Sequence, residues 1–359
     1  MWPDTRVSNL FNIKHPIILS PMAGSAGPEL ASAVSIAGGL GSLPCASLSG
    51  EEIRKHVDHV RQNTSNAFSL NFFCHEYREY NEKHEQRWLD QFAPFYSDVG
   101  GRPSLNAESS NLQPFGEEHC LLIEELKPAV ASFHFGLPKP ELVSRVKNAG
   151  CQVISSANTV AEAVWLEGNG CDAVIAQGTE AGGHRAMFQS NTISEQCGTM
   201  ALVPQIVDAI NIPVIAAGGI GDGRGIAAAI ALGASAVQIG TAYLFADESW
   251  ANDLYRKRLL SSADTGTVIT NVFSGRPARG FENRLTQGLG PMNKNPMVFP
   301  MGYGVLAPFK KKAESEGSTE FSSYLAGQAA KLGSPGSAAD ITQRLIDETK
   351  KQLLRLSPK

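Results

Sequence analysis

The chain has 359 residues, of which 42% are hydrophobic and 18% are charged, and its formal net charge is −4. The charged fraction lies below the roughly 25% of an average globular protein, which favours a large buried core and argues against a mainly disordered chain. A negative net charge without a sustained basic run also argues against a nucleic-acid-binding protein.

The sequence contains no pattern typical of a membrane or secreted protein. No apolar run reaches the roughly 18 residues that a membrane span requires, and no secretory apolar segment follows the first residues. The six cysteines form no Cys-x-x-Cys pair, so we expect reduced thiols and no disulfide framework. These features predict a cytoplasmic protein without membrane or nucleic-acid partners.

Eight short apolar runs recur along the chain. They lie at 17–19, 40–43, 67–73, 129–135, 151–155, 172–177, 213–217 and 234–240. Several consist almost entirely of apolar or small residues, which is typical of parallel strands covered on both faces. Helix-like stretches lie between them, at 50–63, 139–149, 159–168 and 224–233. Alternation of strands and helices predicts an α/β fold, and eight strands favour a closed (β/α)8 TIM barrel over an open sheet.

Two segments interrupt this alternation. Residues 74–115 separate the third and fourth strands and are rich in His, Tyr, Asn, Ser and Pro, which predicts a surface insertion. After the eighth strand, periodic apolar positions near 250–260, 321–332 and 340–356 suggest appended helices, with a loop at 310–318. We therefore divide the chain into a barrel at 1–245, with its insertion at about 74–115, and a C-terminal helical extension at 246–359 that packs on the barrel mouth.

Glycine-rich turns follow the seventh and eighth strands. Gly219 and Gly221 come after the run at 213–217, and Gly240 and Thr241 end the last strand. Backbone N–H groups in such turns can approach an anion closely, and TIM barrels often bind a phosphate there. Tight turns can also need glycine for its backbone conformation alone. Two such turns on neighbouring strands favour the phosphate site.

Three amide side chains lie at strand ends, where a TIM barrel forms its active site. These are Asn71, Gln177 and Gln238. Neutral donors and acceptors of this kind suit the edge of a flat heterocycle. Beside a phosphate site, they favour a flavin mononucleotide (FMN) site.

His184 is the strongest candidate for a catalytic residue. It follows two glycines in the loop after the sixth strand, and we expect Glu180 and Arg185 to set its charge state. A histidine there can donate a hydrogen bond to an anionic oxygen or exchange a proton near neutral pH. His134, at the end of the fourth strand, is a second candidate. No cluster of residues with metal-ligand spacing is apparent, so no metal is predicted.

Eight sequence blocks resemble those of the nitronate monooxygenases, formerly called 2-nitropropane dioxygenases, of class I. They occur in the family's order between about residues 8 and 332: HPIILSPMAG (15–24), SLNFF (69–73), SFHFGLP (132–138), QGTEAGGHR (177–185), PVIAAGGIGDG (213–223), AVQIGTAYLF (236–245), TNVFSGRPARG (270–280) and YLAGQAA (324–330). Departures occur at Ala186, where the family often has glycine, and at Tyr324-Leu325, where Leu-Trp is common.

The resemblance implies an enzyme that uses FMN and O2 to oxidise alkyl nitronates, including propionate 3-nitronate, to a carbonyl compound and nitrite. It implies His184 as the catalytic residue and the following FMN contacts: Met22, Asn71, Gln177, Gly182, Gly219, Gln238, Ile239, Gly240 and Thr241. His134, Tyr303 and Lys310 are expected substrate contacts. A monomer and a homodimer both remain open.

Two other functions remain open on the sequence alone. An NAD(P)H-dependent FMN reductase of the same superfamily, acting on enoyl thioesters or quinones, would share the cofactor site. A barrel that binds a phosphate ligand without turnover is the non-enzymatic alternative, and a histidine in a glycine-exposed loop argues against it.

Overall fold

The computed structural model describes residues 2–76, 81–102 and 112–356. Its central sheet contains eight parallel strands: β1 (Ile17–Leu19), β2 (Gly41–Pro44), β3 (Phe68–Phe73), β4 (Val130–His134), β5 (Gln152–Ala157), β6 (Ala173–Gln177), β8 (Val214–Ala217) and β9 (Ala236–Ile239). A two-residue strand, β7 (Gly183–His184), lies between β6 and β8 in the chain. β1 pairs with β9 on one side. On its other side, a parallel bridge joins Ile18 of β1 to Leu40, the residue directly before β2. The sheet thus closes, and the predicted (β/α)8 barrel is confirmed.

The described residues form thirteen α-helices: α1 (Arg6–Phe11), α2 (Pro28–Ile36), α3 (Gly50–Asn63), α4 (Glu82–Gln91), α5 (Glu117–Leu126), α6 (Pro140–Asn148), α7 (Val160–Gly168), α8 (Thr199–Ala209), α9 (Gly223–Ala231), α10 (Asp253–Leu260), α11 (Arg284–Gly288), α12 (Gly302–Ser315) and α13 (Ala338–Leu356). α3 begins where Ser49 and Glu52 form a reciprocal capping box. This local signal explains why the helix matches the predicted range of 50–63. Within the described residues, no helix combines the length and apolar character needed to cross a membrane.

Side chains of the barrel strands alternate between two environments. Val153, Val174 and Val237 belong to the large cluster that packs beneath the helices. Ile154 and Ile175 belong to a second cluster inside the barrel, which also contains Val7 and Phe11 of α1. α1 therefore plugs one end of the barrel with apolar side chains, and the cavity lies at the opposite end, where the strands terminate.

The segment after β9 forms more than helices. β10 (Thr267–Thr270) and β11 (Ala278–Phe281) are antiparallel, and β11 also pairs with β7. The predicted loop at 310–318 is wrong for residues 310–315, because α12 continues to Ser315, and only 316–318 lie outside the helix. The predicted helix at 321–332 is reduced to a 3₁₀ turn, Ala330–Leu332, since the chain before it runs along β11 and the loop after β6.

Part of the predicted insertion packs on this C-terminal segment. Trp88 of α4 and Phe92, which directly follows that helix, share a buried cluster with Phe273, Phe309 and Phe321. Other residues of the predicted insertion, at 77–80 and 103–111, lie outside the described residues.

The last helix, α13, packs against α9 and α2. The approach to α9 is close, because a Cβ added at Gly223 would lie 2.4 Å from Glu348 Cβ. Ile341 and Leu345 of α13 belong to the main core cluster. α13 therefore takes the eighth place in the ring of barrel helices. The division at residue 245 remains a prediction, and we propose that the segment over the mouth is 246–337.

Candidate active site

A cavity of about 510 Å³ opens at the carboxyl ends of the barrel strands. Its volume falls within the range of about 300–1,000 Å³ that is common for small-molecule and cofactor sites. Twelve of the thirteen predicted site residues line it: Met22, Asn71, His134, Gln177, Gly182, His184, Gly219, Gln238, Gly240, Thr241, Tyr303 and Lys310. Ile239 does not, because its side chain packs in the core between strands and helices. Residues separated by up to 288 positions in the chain, from Met22 to Lys310, thus meet at one mouth.

The His184 ring is held by its surroundings on several sides. Its Nε2 lies 2.8 Å from Ser274 Oγ, and the tautomer of the ring decides which of the two atoms donates. The rings of Phe299 and Tyr303 are edge-on to it, with centroid distances of 5.3 and 6.3 Å. Pairing of β7 with β11 places Ala278 opposite His184 and anchors the backbone there. The imidazole therefore has a fixed position at the cavity wall.

The pKa of His184 is lowered to about 3, mainly by burial and also by the nearby His134, Arg276 and His75. A histidine with this pKa is neutral near neutral pH and acts through hydrogen bonds rather than through a positive charge. The site therefore presents an uncharged imidazole.

Glu180 and Arg185 do not set this charge, contrary to the expectation from the sequence. The Arg185 guanidinium is buried and donates to the backbone oxygens of Gln177 and Gly178, at 2.8 and 2.9 Å. The Glu180 carboxylate accepts hydrogen bonds from Thr199 N and Oγ1. Both side chains are engaged with the turns that support the loop, and neither forms a hydrogen bond with the imidazole.

The backbone oxygen of His184 accepts two hydrogen bonds. Gln177 Nε2 donates to it over 2.9 Å, and His134 Nε2 lies 3.2 Å away. Because a carbonyl only accepts, His134 carries a proton on Nε2. Gln177 Oε1 accepts from Asn158 Nδ2 at 2.9 Å and from Ala186 N at 3.0 Å. The Gln177 amide therefore fixes the His184 loop as well as lining the cavity.

The glycine turns after β8 and β9 present backbone donors. Gly219 has a φ of +71°, a conformation that favours glycine. Among the described residues, no backbone oxygen accepts a hydrogen bond from the N–H groups of Gly219 or Gly240. The Thr241 hydroxyl is used within the protein, because it accepts from Gly327 N over 3.0 Å. Two backbone N–H groups at the cavity are thus available to an anion.

Gly182 is required by a close approach of two backbones. A Cβ at this position would lie 2.6 Å from Gly327 N and 2.8 Å from the carbonyl carbon of Ala326. Gln328 N donates to Glu180 O over 3.0 Å and fixes the same contact. The late YLAGQAA block therefore locks the loop that carries His184.

Sequence reasoning missed several residues around the cavity. Ser274, the hydrogen-bond partner of His184, lies in the TNVFSGRPARG block, whose resemblance to the family gives this serine no role of its own. Tyr255 was not a candidate; its ring stacks on that of Tyr324, known from the sequence only as a departure from the family, with a centroid distance of 4.3 Å, and both rings line the cavity. Lys310 Nζ lies 5.9 Å from the centre of the Tyr324 ring. No local pattern could have paired these residues, since they lie on separate elements.

No candidate metal site is present in the part of the chain that the structure describes. No group of three or more His, Cys, Asp or Glu side chains there could hold a metal ion. The three histidines near the cavity, His75, His134 and His184, are surrounded by aromatic rings instead.

The chain is similar to known proteins over nearly its whole length. The family model for nitronate monooxygenase matches residues 4–348. A nitronate monooxygenase of Pseudomonas aeruginosa is 39% identical, with 96% of this chain and 98% of the relative aligned. One from Paraburkholderia phytofirmans is 38% identical, with 97% and 95% aligned.

Solved structures show the same architecture. A nitroalkane oxidase from Streptomyces ansochromogenes superimposes with a TM-score of 0.89 and 31% identity, covering 98% of this chain and all of the other. A FabK from Thermotoga maritima superimposes with a TM-score of 0.74 and 31% identity, covering 98% and 97%. With the family match spanning nearly the whole barrel and its appended segment, the chain belongs to the nitronate monooxygenase family of oxidoreductases.

Proposed function

We propose that this chain binds FMN and oxidises alkyl nitronates, such as propionate 3-nitronate, with O2 to a carbonyl compound and nitrite. The observation that carries the proposal is the meeting of available backbone donors and a buried, neutral His184 in one cavity. Relatives at 38–39% identity that are named nitronate monooxygenase support the same reaction class.

We infer that the cavity offers partners for both the phosphate and the ring system of FMN. The N–H groups of Gly219 and Gly240 would hold its phosphate, since neither donates to a described backbone oxygen. The amides of Asn71 and Gln238 line the same cavity and would bond the polar edge of the ring system. The chemistry that FMN supplies when bound is the passage of electrons from the nitronate to O2.

His184 would hold the nitronate by hydrogen bonding. A nitronate is already an anion, so its oxidation requires no strong base. A fixed hydrogen-bond partner in a poorly hydrated site is the kind of electrostatic positioning that lowers barriers most. The 2.8 Å contact with Ser274 fixes the imidazole in advance, which avoids a reorganisation cost during the reaction.

Lys310 and Tyr303 would contact the remainder of the substrate. Lys310 lines the cavity and forms no salt bridge among the described residues. Its ammonium group would attract a carboxylate such as that of propionate 3-nitronate. His134 would act indirectly, because its Nε2 proton is directed to the His184 backbone oxygen.

The first test is the absorbance spectrum of the purified protein, followed by oxygen uptake and nitrite release with propionate 3-nitronate, with and without NADH. We expect a flavin spectrum and turnover that does not require NADH. A flavin that NADH bleaches, with no nitronate turnover, would assign the chain to the reductases. A colourless protein that gains no activity with added FMN would refute the cofactor.

Two further comparisons test the role of His184. His184→Asn should retain FMN but reduce turnover by about 100-fold or more, the scale for loss of one positioned hydrogen-bond group. His59→Asn, on α3 outside the cavity, is the matched control and should leave turnover unchanged. Because the pKa of His184 is about 3, the ring is a weak base, and a preformed nitronate should outpace the neutral nitroalkane at pH 7.

A further inference from the structure

Phe135 adopts a backbone conformation that bulky side chains rarely take. It follows β4, and its φ is +69°, while the next residue, Gly136, has a φ of +91°. For a large side chain, a positive φ of this kind is a strained outlier, and such strain persists only where the surrounding structure imposes it. The buried Ser155 hydroxyl imposes it here, since it donates to Gly136 O over 2.7 Å and lies 3.2 Å from Phe133 O.

The strained turn brings the Phe135 ring beneath a cation. Arg276 Cζ lies 4.1 Å from the centre of that ring and 5.8 Å from the centre of Phe299. Arg276 Nη2 also donates to Met187 O over 3.2 Å. A guanidinium over a buried aromatic face is held by electrostatic attraction to the ring and by planar stacking. Phe135 therefore anchors Arg276.

Arg276 in turn belongs to the short segment that holds the imidazole. Arg276 N donates to Ser274 Oγ over 3.3 Å, and the same oxygen lies 2.8 Å from His184 Nε2. The Phe135 and His184 rings are also edge-on, with a centroid distance of 6.0 Å. A continuous set of contacts thus runs from the strained turn through Arg276 and Ser274 to the imidazole.

We propose that Phe135 is a positioning residue for His184, and that its strained backbone is retained because it places an aromatic face under Arg276. Loss of that face frees the 274–276 segment and the imidazole that it holds. The functional part rests on the proposed role of His184 in nitronate oxidation. The structural part, from Phe135 to the imidazole, stands independently of any reaction.

Two substitutions distinguish the effect of removing the Phe135 ring from the effect of relieving the strained backbone. Phe135→Ala and Phe135→Gly both remove the ring, but only glycine relieves the positive φ. We expect the Gly variant to melt at a higher temperature than the Ala variant, while both lose turnover equally, by about 10–100-fold and mainly in kcat. Turnover that recovers in the Gly variant in step with its melting temperature would overturn the proposal.

Arg276→Lys provides a test in which the turn is left intact. Lysine keeps the charge but cannot stack as a planar group, so its kcat should fall as in the Phe135 variants. Combining Arg276→Lys with Phe135→Gly should cost no more than the larger single effect, because both changes break one contact. Independent, additive losses would contradict the proposed coupling. If Phe135 variants fail to fold, a wild-type kcat in Arg276→Lys would overturn the proposal by itself.

A spectroscopic measurement distinguishes this proposal from the function itself. In protein labelled with ¹⁵N-histidine, the His184 signals are identified by their loss in His184→Asn. We expect the wild-type ring to show the shifts of one tautomer, and the Phe135→Gly ring to move towards a tautomer average. Unchanged His184 signals would refute the positioning role. Absence of nitronate turnover in the wild type would refute only the proposed function, since the signals need no substrate.

Discussion

Replacement of Gly182 by alanine should damage the site through one steric contact. The added Cβ would lie 2.6 Å from Gly327 N, whereas ordinary contacts begin at 3.4 Å, so the two segments must separate by about 0.8 Å. Both neighbouring groups are backbone, and no side-chain rotation can relieve the overlap. Overpacking of this kind costs about 1–3 kcal/mol of stability.

Gly183→Ala is the matched control on the adjacent residue. No heavy atom lies within 4 Å of its added Cβ, but its φ is +82°. The substitution therefore introduces backbone strain, worth about 1–2 kcal/mol, without pushing against the 326–327 segment. The two variants should be similarly destabilised for different reasons.

Their effects on the cofactor should differ. Displacement of residues 326–327 moves the loop from Glu180 to His184, so Gly182→Ala should weaken FMN binding by about tenfold, corresponding to about 1.4 kcal/mol. Gly183→Ala should weaken it less. Urea unfolding measures the stability, and fluorescence titration with FMN measures the affinity. Equal FMN affinities in the two variants, at equal loss of stability, would refute this steric account.

Three further predictions concern stability and reactivity. Burial lowers the pKa of His184 and His134 to about 3 and that of His75 to about 4, below the value of 6.5 for an exposed histidine. The unfolded chain therefore binds more protons, and stability should fall as the pH drops from about 6.5 towards 3; urea midpoints that stay constant from pH 7 to 4.5 would contradict this. Asp222→Ala removes the side chain that accepts from the first N–H groups of α9 and should lower the free energy of unfolding, measured in urea, by about 1 kcal/mol. Asp222→Asn should retain most of that stability, because an amide oxygen can also accept these hydrogen bonds. Burial raises the pKa of Cys45 to about 12, so iodoacetamide at pH 8 should leave Cys45 unlabelled until urea unfolds the chain, as mass spectrometry would show.

The sequence by itself determined the barrel, because the signals for its strands and helices are local. Apolar runs separated by helical periodicity are properties of short stretches, and the eight predicted strands correspond to the eight observed ones. Position at a strand end also placed Asn71, His134 and Gln238 at the cavity, since all parallel strands end on the same side.

Only the tertiary structure decided how the site is held. Ser274 contacts His184, although 90 residues of sequence separate them. α13 completes the ring of barrel helices, although it begins far along the chain from β9, the last barrel strand. The Arg185 guanidinium binds the backbone oxygens of Gln177 and Gly178 instead of the imidazole, and only the folded chain brings these oxygens within its reach. Contacts and burial of this kind arise when distant segments pack together, so no short stretch of sequence encodes them.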